Sequence, residues 1–403
     1  MPVPFSTPEA IEIVVSGMGV WSGAGTCVPD FSRCVIGSQD PIQLTGFAPS
    51  RFIAIEAPVP EPFPRFPQAR RMDRSVHLAL AAAAEAYDAS RLASLDPTRI
   101  AILVGNSRGP AGKWSEPRPL RLRPTHAANT AIASLSGALS LAFQVRGPCL
   151  TLSAACASAA HAMALGAILL RAGEVDAVLA GGAEAPLVES LLDQFQAAGL
   201  LGSHPDPRLA CRPFDRTRNG IVPGEGAGFL VLETARHAQA RQLRPLAVLA
   251  GCAMGSEAHN RVATRADGAG LSLVIRQALE RASLRPDEIG YINAHGTGTV
   301  VNDAAEAAAF HAVFGPTNTL PPVSSTKPIT GHAFGAAPAL EAIVAIEVLR
   351  AQCAPPTWTC HDPDPALGLD LILGQPRRLQ TRAVLSTSLG FWGNAAALVF
   401  RSP

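Results

Sequence analysis

The chain has 403 residues, 48% of them hydrophobic and only 16% charged, and 33 basic against 32 acidic side chains leave a formal charge of +1. So even a balance excludes a surface that holds nucleic acid by net charge. The length exceeds one ordinary domain but allows a single unit of two integrated halves, and the scarcity of charge predicts extensive burial, including surface buried between subunits.

Eight cysteines, at 27, 34, 149, 156, 211, 252, 353 and 360, show no C-x-x-C pair and no close framework. Neither a zinc site nor a disulfide scaffold is expected, and a reducing cytoplasm fits best. The N-terminus is Pro-rich and lacks the basic flank and apolar core of a signal peptide. The longest apolar stretch, Ala157 to Leu170, contains His161 and is too short to span a bilayer.

In chain order, a strand over Ile11 to Ser16 runs into the turn Gly17-Met18-Gly19. An alanine-rich helical pattern from His77 to Tyr87 precedes Ala93-Ser94-Leu95-Asp96-Pro97-Thr98-Arg99-Ile100, and a buried strand follows over Ile100 to Val104. The turn Gly105-Asn106-Ser107-Arg108-Gly109 fits the G-x-S-x-G elbow of an α/β-hydrolase. However, Pro110 and the polar, Pro-rich stretch behind it do not make the helix that motif requires. Gly17, Gly19 and Gly23 miss the dinucleotide fingerprint by one residue. Arg118, Arg121 and Arg123 cluster among prolines, as in a solvated loop that an acidic carrier protein could also use.

The first loop that promises chemistry is Leu152-Ser153-Ala154-Ala155-Cys156-Ala157-Ser158, followed by a helical pattern to Arg171. Cys156 falls at a helix N-terminus among small residues, where unpaired N–H groups and the helix dipole favour a thiolate, against the alternative of a buried structural cysteine. The strand Ala177 to Ala180 is apolar without alternation, as in a sheet covered on both faces. Gly220 to Gly228, with Glu225 its only charge, reads as a structural loop, and apolar periodicity lapses over Glu233 to Arg244.

Beyond that break the order repeats. Leu246 to Ala250 and Gly251 match the opening strand and its glycines. The helical pattern Leu271 to Ala282 and Ala282-Ser283-Leu284-Arg285-Pro286-Asp287-Glu288-Ile289 match the helix and octapeptide of the first half. Arg382-Ala383-Val384-Leu385 before Gly390 matches Asp176-Ala177-Val178-Leu179 before Gly181. Three matches in the same order predict an α/β fold of two halves related by a pseudo-twofold axis, with ligands where loops from both halves meet. The division is expected near residue 240, so that 1–240 carries Cys156 and 241–403 carries the loops described next.

The second loop, Asn293-Ala294-His295-Gly296-Thr297-Gly298-Thr299, follows a strand over Ile289 to Ala294 and surrounds one imidazole with glycines and hydroxyls. Asp303 and Glu306 come after it on a helical pattern, as structural support. The third loop is Ser325-Thr326-Lys327-Pro328-Ile329-Thr330-Gly331-His332. Pro328 stops a helix there and Gly331 permits an unusual backbone angle, so Lys327 and His332 can share one cavity, with Glu341 placed to pair with Lys327. The fourth, Ser388-Leu389-Gly390-Phe391-Trp392-Gly393-Asn394, holds two aromatics that make poor surface unless they line a pocket, and its backbone N–H groups suit an oxyanion.

These four loops, in this order, together with Pro213 to Gly220 and Gly224 to Gly228, resemble the elongating β-ketoacyl–acyl carrier protein synthases of the thiolase superfamily. The resemblance implies a thiolase-like five-layer αβαβα fold and a homodimer or a heterodimer with a chain-length-factor-like relative. It implies that Cys156 accepts an acyl group, that His295 and His332 assist decarboxylation of a malonyl unit, and that Lys327 supports them. By the same resemblance the Cys156 and Phe391 N–H groups form the oxyanion hole, Trp392 takes part in gating, and Thr297 and Thr299 contact a phosphopantetheine arm. No cofactor is implied beyond that arm, which belongs to a separate acyl carrier protein. A thiol at Cys156 separates the chain from chain-length factors, and His332 in place of Asn separates it from the initiating synthases. A non-condensing acyltransferase or a mainly structural partner subunit is the alternative. Trp392 at a usual glycine, Pro338 at another, and a short Pro-rich segment from Gly112 to Pro124 depart from the family and point to a specialised pathway such as polyene or polyketide assembly.

Overall fold

A computed structural model describes residues 11–37, 52–117 and 123–403. The first half runs β1 (Ile13–Ser22), α1 (Val28–Ile36), α2 (Arg74–Ala89), β2 (Ile100–Gly105) and the short helices α3 (Ala111–Ser115) and α4 (His126–Asn129). It continues through α5 (Ser134–Phe143), β3 (Cys149–Leu152), α6 (Ser158–Arg171), β4 (Ala177–Glu184), α7 (Glu189–Ala197), β5 (Gly226–Thr234) and α8 (Ala235–Ala240). The second half begins with β6 (Ala247–Ser256), α9 (Ala269–Ala282), β7 (Tyr291–Asn293), α10 (Val300–Phe314), β8 (Val323–Ser324), α11 (Lys327–Thr330) and α12 (Ala337–Ala351). A small pair, β9 (Cys353–Ala354) and β10 (Arg377–Arg378), precedes the closing hairpin of β11 (Ala383–Gly390) and β12 (Asn394–Arg401).

The ten long-range strands follow the order β3-β2-β4-β5-β1-β6-β12-β11-β7-β8. Between β1 and β6 the ladder shrinks to Val14 opposite Val248 and Val15 opposite Ala247, which divides the order into two sets of five. Read outward from that seam, each set has an antiparallel inner part and parallel outer strands. The same order of strand directions is thus used twice, as the internal repeat predicts.

Helices α2 and α5 cover the outer face of the first set, and α9, backed by α10, covers the second. Between the sets lie α6 and α12, each touching strands of both halves. This is the five-layer αβαβα arrangement. All eight residues of β4 are buried, which explains its unbroken apolar run. Helix α12 is buried from Ala337 to Leu349 and accordingly lacks a polar stripe. One apolar core joins the halves, running through Val15, Leu103, Met163, Ile343 and Leu398.

Three local expectations are corrected. Gly17-Met18-Gly19 does not turn the chain; β1 continues through it to Ser22, with a bulge between Val15 and Gly17. The glycines are there because α2 packs onto the strand: a Cβ on Gly19 would lie 2.1 Å from the Ala82 carbonyl oxygen. Gly251 of β6 meets the Ala278 carbonyl of α9 at the same 2.1 Å, the symmetric counterpart. Secondly, the strand expected over Ile289 to Ala294 is confined to Tyr291–Asn293, because Ile289 still bonds back to Pro286 in a tight turn. Thirdly, the lapse over Glu233 to Arg244 contains the short helix α8, whose N-cap Thr234 accepts from the His237 N–H. The elbow reading of Ser107 finds no support: α3 has five residues, and the Ser107 hydroxyl donates to Glu184 at 2.8 Å. No helix among the described residues is long and apolar enough to cross a membrane.

Candidate active site

The loop after β3 delivers Cys156 to the entrance of α6, with only 7% of its surface exposed. Ala155, just before it, takes a left-handed φ of 48°, a conformation that costs a non-glycine residue about 1–2 kcal/mol and gathers at functional sites. The fourth loop presses against this turn. A Cβ on Gly390 would stand 2.8 Å from the Cys156 nitrogen, so glycine there lets the backbone just before Phe391 come close to Cys156.

His332 reaches the same point from the opposite half. Its loop follows β8 as the Cys156 loop follows β3, and it precedes α12 as Cys156 precedes α6. Gly331 does adopt a positive φ, 66°. The His332 N–H donates to the Val222 carbonyl at 2.7 Å, and its own carbonyl accepts from Gly224 at 2.9 Å. The glycine-rich loop that looked merely structural thereby fixes this histidine. Nε2 of His332 lies 3.2 Å from the Cys156 Sγ. The His295 ring stands nearly perpendicular to it, with centroids 5.3 Å apart and planes at 82°.

Lys327 is buried and ion-paired with buried Glu341. Its ammonium also donates to the His295 carbonyl and approaches His295 Nδ1 at 3.3 Å. An ammonium has only donors, so Nδ1 must accept and the His295 proton sits on Nε2. Nδ1 of His332 is buried without a partner. An orphaned lone pair costs less than an orphaned N–H, so its proton is also assigned to Nε2. Each imidazole then carries an N–H donor on its cavity side.

Carboxylates hold the second loop in shape. Glu306 accepts from the N–H groups of His295 (2.8 Å) and Gly296 (2.6 Å), and from the Thr387 hydroxyl (3.0 Å). Asp303 accepts from Thr297 and Gly298 and, at 2.8 Å, from Phe214 in the segment before the glycine-rich loop. Thr297 and Thr299 share a hydroxyl–hydroxyl bond of 2.9 Å. Cys156, both histidines, both threonines and Phe391 line one cavity of about 330 Å³.

Trp392 does not belong to it. Its indole is 65% exposed and its backbone is left-handed at φ 64°, with its N–H bonded to the Arg261 carbonyl. Of the two adjacent aromatics, the one that lines the cavity is Phe391. Pro338 sits in the first turn of α12, where its missing N–H costs nothing. Of the arginine cluster, Arg118 and Arg121 lie outside the described residues, as does part of the segment from Gly112 to Pro124.

Burial dominates the electrostatics. It pushes the Cys156 thiol up to about 12, against the downward pull of Arg108 and Lys327, so the resting side chain is a thiol and the thiolate expected from the helix dipole is not the ground state. Burial, reinforced by Lys327, holds both histidines well below their ordinary value, and they are neutral at pH 7. Glu306 is raised to about 7 by its desolvation and by neighbouring Asp303.

Several site residues gave no signal of their own. Phe334 stacks on His332 with centroids 4.9 Å apart, and Phe195 of α7 stacks on Phe334 at the same 4.9 Å. Buried Glu184, at the end of β4, accepts from the N–H groups of Ser107 (2.7 Å), Arg108 (3.1 Å) and Gly335 (3.0 Å). The internal repeat held the available clue, since it maps the turn carrying Ser107 and Arg108 onto the His295 loop. Among the described residues no group of three His, Cys, Asp or Glu side chains is arranged to hold a metal ion.

A search of known proteins finds the same pattern. Residues 11–238 match the N-terminal domain of β-ketoacyl synthases and residues 246–361 their C-terminal domain. The 3-oxoacyl-[acyl-carrier-protein] synthase 2 of Vibrio cholerae is 32% identical, over 97% of this chain and 99% of its own. The enzyme of that name from Coxiella burnetii is 30% identical, over 97% and 98%. Among solved structures, the ishigamide ketosynthase/chain length factor superposes with a TM-score of 0.88 at 31% identity, over 98% of this chain and 100% of that one. A type II polyketide ketosynthase, solved with its acyl-carrier protein and bound to a hexaketide, gives 0.87 at 26% identity, over 98% and 100%. The fold, the paired loops and these likenesses agree, and the chain belongs to the β-ketoacyl synthase family, on the elongating side of the thiolase superfamily.

Proposed function

We propose that Cys156 carries an acyl group and that the protein joins it to a malonyl unit by decarboxylative condensation. The observation that carries this reading is the convergence on one cavity of a thiol and two neutral imidazoles, with Sγ and Nε2 only 3.2 Å apart.

In the first step the sulfur of Cys156 attacks the carbonyl of an acyl thioester held on a carrier protein. The carbon–sulfur bond to the pantetheine breaks, and the departing sulfur gains the proton that Cys156 gives up. The N–H groups of Cys156 and Phe391 stabilise the tetrahedral oxyanion; Gly390, just before Phe391, comes close to the Cys156 backbone. In the second step the carbonyl oxygen of a malonyl thioester accepts from the Nε2–H groups of His295 and His332. Its carboxylate leaves as carbon dioxide, and the electron pair becomes an enolate. That enolate attacks the acyl carbonyl, a carbon–carbon bond forms, the bond to Sγ breaks, and the thiolate recovers a proton from water. Neutral donors suit this chemistry, because negative charge develops on the carbonyl oxygen.

Lys327 positions His295, while Glu306 and Glu341 support the loops. Thr297 and Thr299 take the pantetheine arm. Loss of carbon dioxide drives the reaction without a metal or redox group. The partners are an acyl carrier protein and a second subunit, either another copy or a chain-length-factor-like relative. Support comes from the solved complexes of related ketosynthases with both kinds of protein, and from the exposure of Ile132, Leu141 and Leu150 around edge strand β3. Eight free cysteines fit a cytoplasmic setting, and the halves divide near residue 240, after α8.

Incubation of acyl-carrier with malonyl-carrier tests the reading. Release of carbon dioxide that depends on both substrates, with a 3-oxoacyl-carrier as product, is expected. Acyl transfer without carbon dioxide would replace condensation by simple acyltransferase activity.

A further inference from the structure

Arg108 has no part in the chemistry above, yet it stands directly behind the rings that wall the Cys156 cavity. It follows β2 on the turn that the internal repeat pairs with the His295 loop, and the two turns are held alike. Glu306 takes the N–H groups of His295 and Gly296; Glu184 takes those of Ser107 and Arg108. Glu184 also accepts from Gly335, which ties the Arg108 turn to the segment that follows His332.

The guanidinium lies over three rings, with its carbon 4.9 Å from the centroid of Phe195, 5.7 Å from Phe334 and 5.9 Å from Phe391. All three rings line the Cys156 cavity. On its other side Arg108 borders a second, larger cleft of about 890 Å³, between α3 and α7. Leu191 of α7 lines that cleft and also packs in the cluster that contains Cys156. Arg108 thus lies between the two, and an acyl chain that extended from Sγ toward the cleft would meet the guanidinium.

An arginine used only as a wall would have its donors satisfied, since a buried N–H without a partner costs about 1–3 kcal/mol. Nε of Arg108 is buried and has no partner. Aromatic faces offset part of the cost of bringing the cation in, but they leave this in-plane donor unused. A saturated hydrocarbon chain at that place would leave it orphaned; a chain oxygen would not.

We propose that Arg108 is a specificity-determining residue that hydrogen-bonds an oxygen on the acyl chain carried by Cys156, so that the enzyme selects oxo-substituted acyl groups over saturated ones. This deepens the function proposed above and rests on it. The selectivity arises as a site with an unpaired donor rejects the analogue lacking the acceptor.

The test is the rate at which Cys156 is loaded, followed by intact mass, from hexanoyl, 3-oxohexanoyl and 5-oxohexanoyl carrier thioesters. The wild type is expected to load at least one oxo chain about tenfold or more faster than hexanoyl. Arg108→Leu is expected to bring that ratio to about one; because the cation also pulls the Cys156 thiol down, loading of all three chains is expected to slow together, and the ratio is the readout. Arg108→Gln, too short to reach the same oxygen, decides the matter if the leucine variant does not fold. Equal loading of all three chains by the wild type, or a preference that survives in the folded variant, would overturn the inference alone. Loading of none of them would overturn the acyl-carrier role of Cys156 and this inference with it.

Discussion

Lys327 and Glu341 face each other with both side chains almost wholly buried. Removing one partner strands the other charge, so Lys327→Met is expected to cost about 3–5 kcal/mol in urea unfolding. The double variant Lys327→Met/Glu341→Leu removes both charges and should regain most of that stability. It should not regain carbon dioxide release, because His295 Nδ1 then lacks the donor that fixes its tautomer. Recovery of turnover along with stability would show that Lys327 only fills space. Cys156 makes a second prediction. With its thiol pushed up to about 12, alkylation by iodoacetamide should rise about tenfold per pH unit from pH 7 to 9 without levelling. A plateau at neutral pH would mean a preformed thiolate. Cys156, His295, His332 and Lys327 were legible in the sequence because each stands alone among glycines, alanines and hydroxyls, where a reactive side chain has room. Arg108 and Glu184 were not: the contacts that give them meaning join residues 76 and 77 positions apart and exist only after β2 and β4 pair. The resting state of Cys156 was misjudged because position in the chain shows a helix dipole but not the depth of burial that overrides it.

At the scale of elements, the turn between β11 and β12 separates two adjacent aromatics that look alike in sequence. Phe391 enters the cavity, whereas Trp392 sits at φ 64° with its ring in solvent. Trp392→Gly is therefore expected to leave product chain length unchanged and to stabilise the protein by about 1 kcal/mol, as relief of a left-handed non-glycine residue. A shift in product length, read by acyl-chain profiling, would place the indole back in the substrate path. The glycines of β1 illustrate the same limit on reading elements. Gly17 and Gly19 resemble a turn in sequence, but what demands glycine is the close approach of α2 to the strand. Helix approach leaves no periodic trace in the strand it crosses. The order helix, octapeptide, strand that leads through α2 to β2 and through α9 to β7, by contrast, was legible, since each half repeats it.

For the molecule as a whole, α6 and α12 are shared between the two sheets, and the apolar core passes through both halves without interruption. The protein should then unfold in one cooperative calorimetric transition despite its 403 residues and its internal repeat. Two resolved transitions would mean that the halves are separate folding units. The shared middle layer also explains the site. Cys156 leads into α6 and His332 into α12, so packing these two helices together brings a thiol from one half against an imidazole from the other.

Intact-mass measurement of the protein after incubation with an acyl-carrier thioester tests this account most directly. The wild type is predicted to gain the mass of one acyl group, located on the peptide containing Cys156, and Cys156→Ala to gain none. An alanine variant that still acquires the acyl group, or still forms 3-oxoacyl product at the wild-type rate, would contradict it.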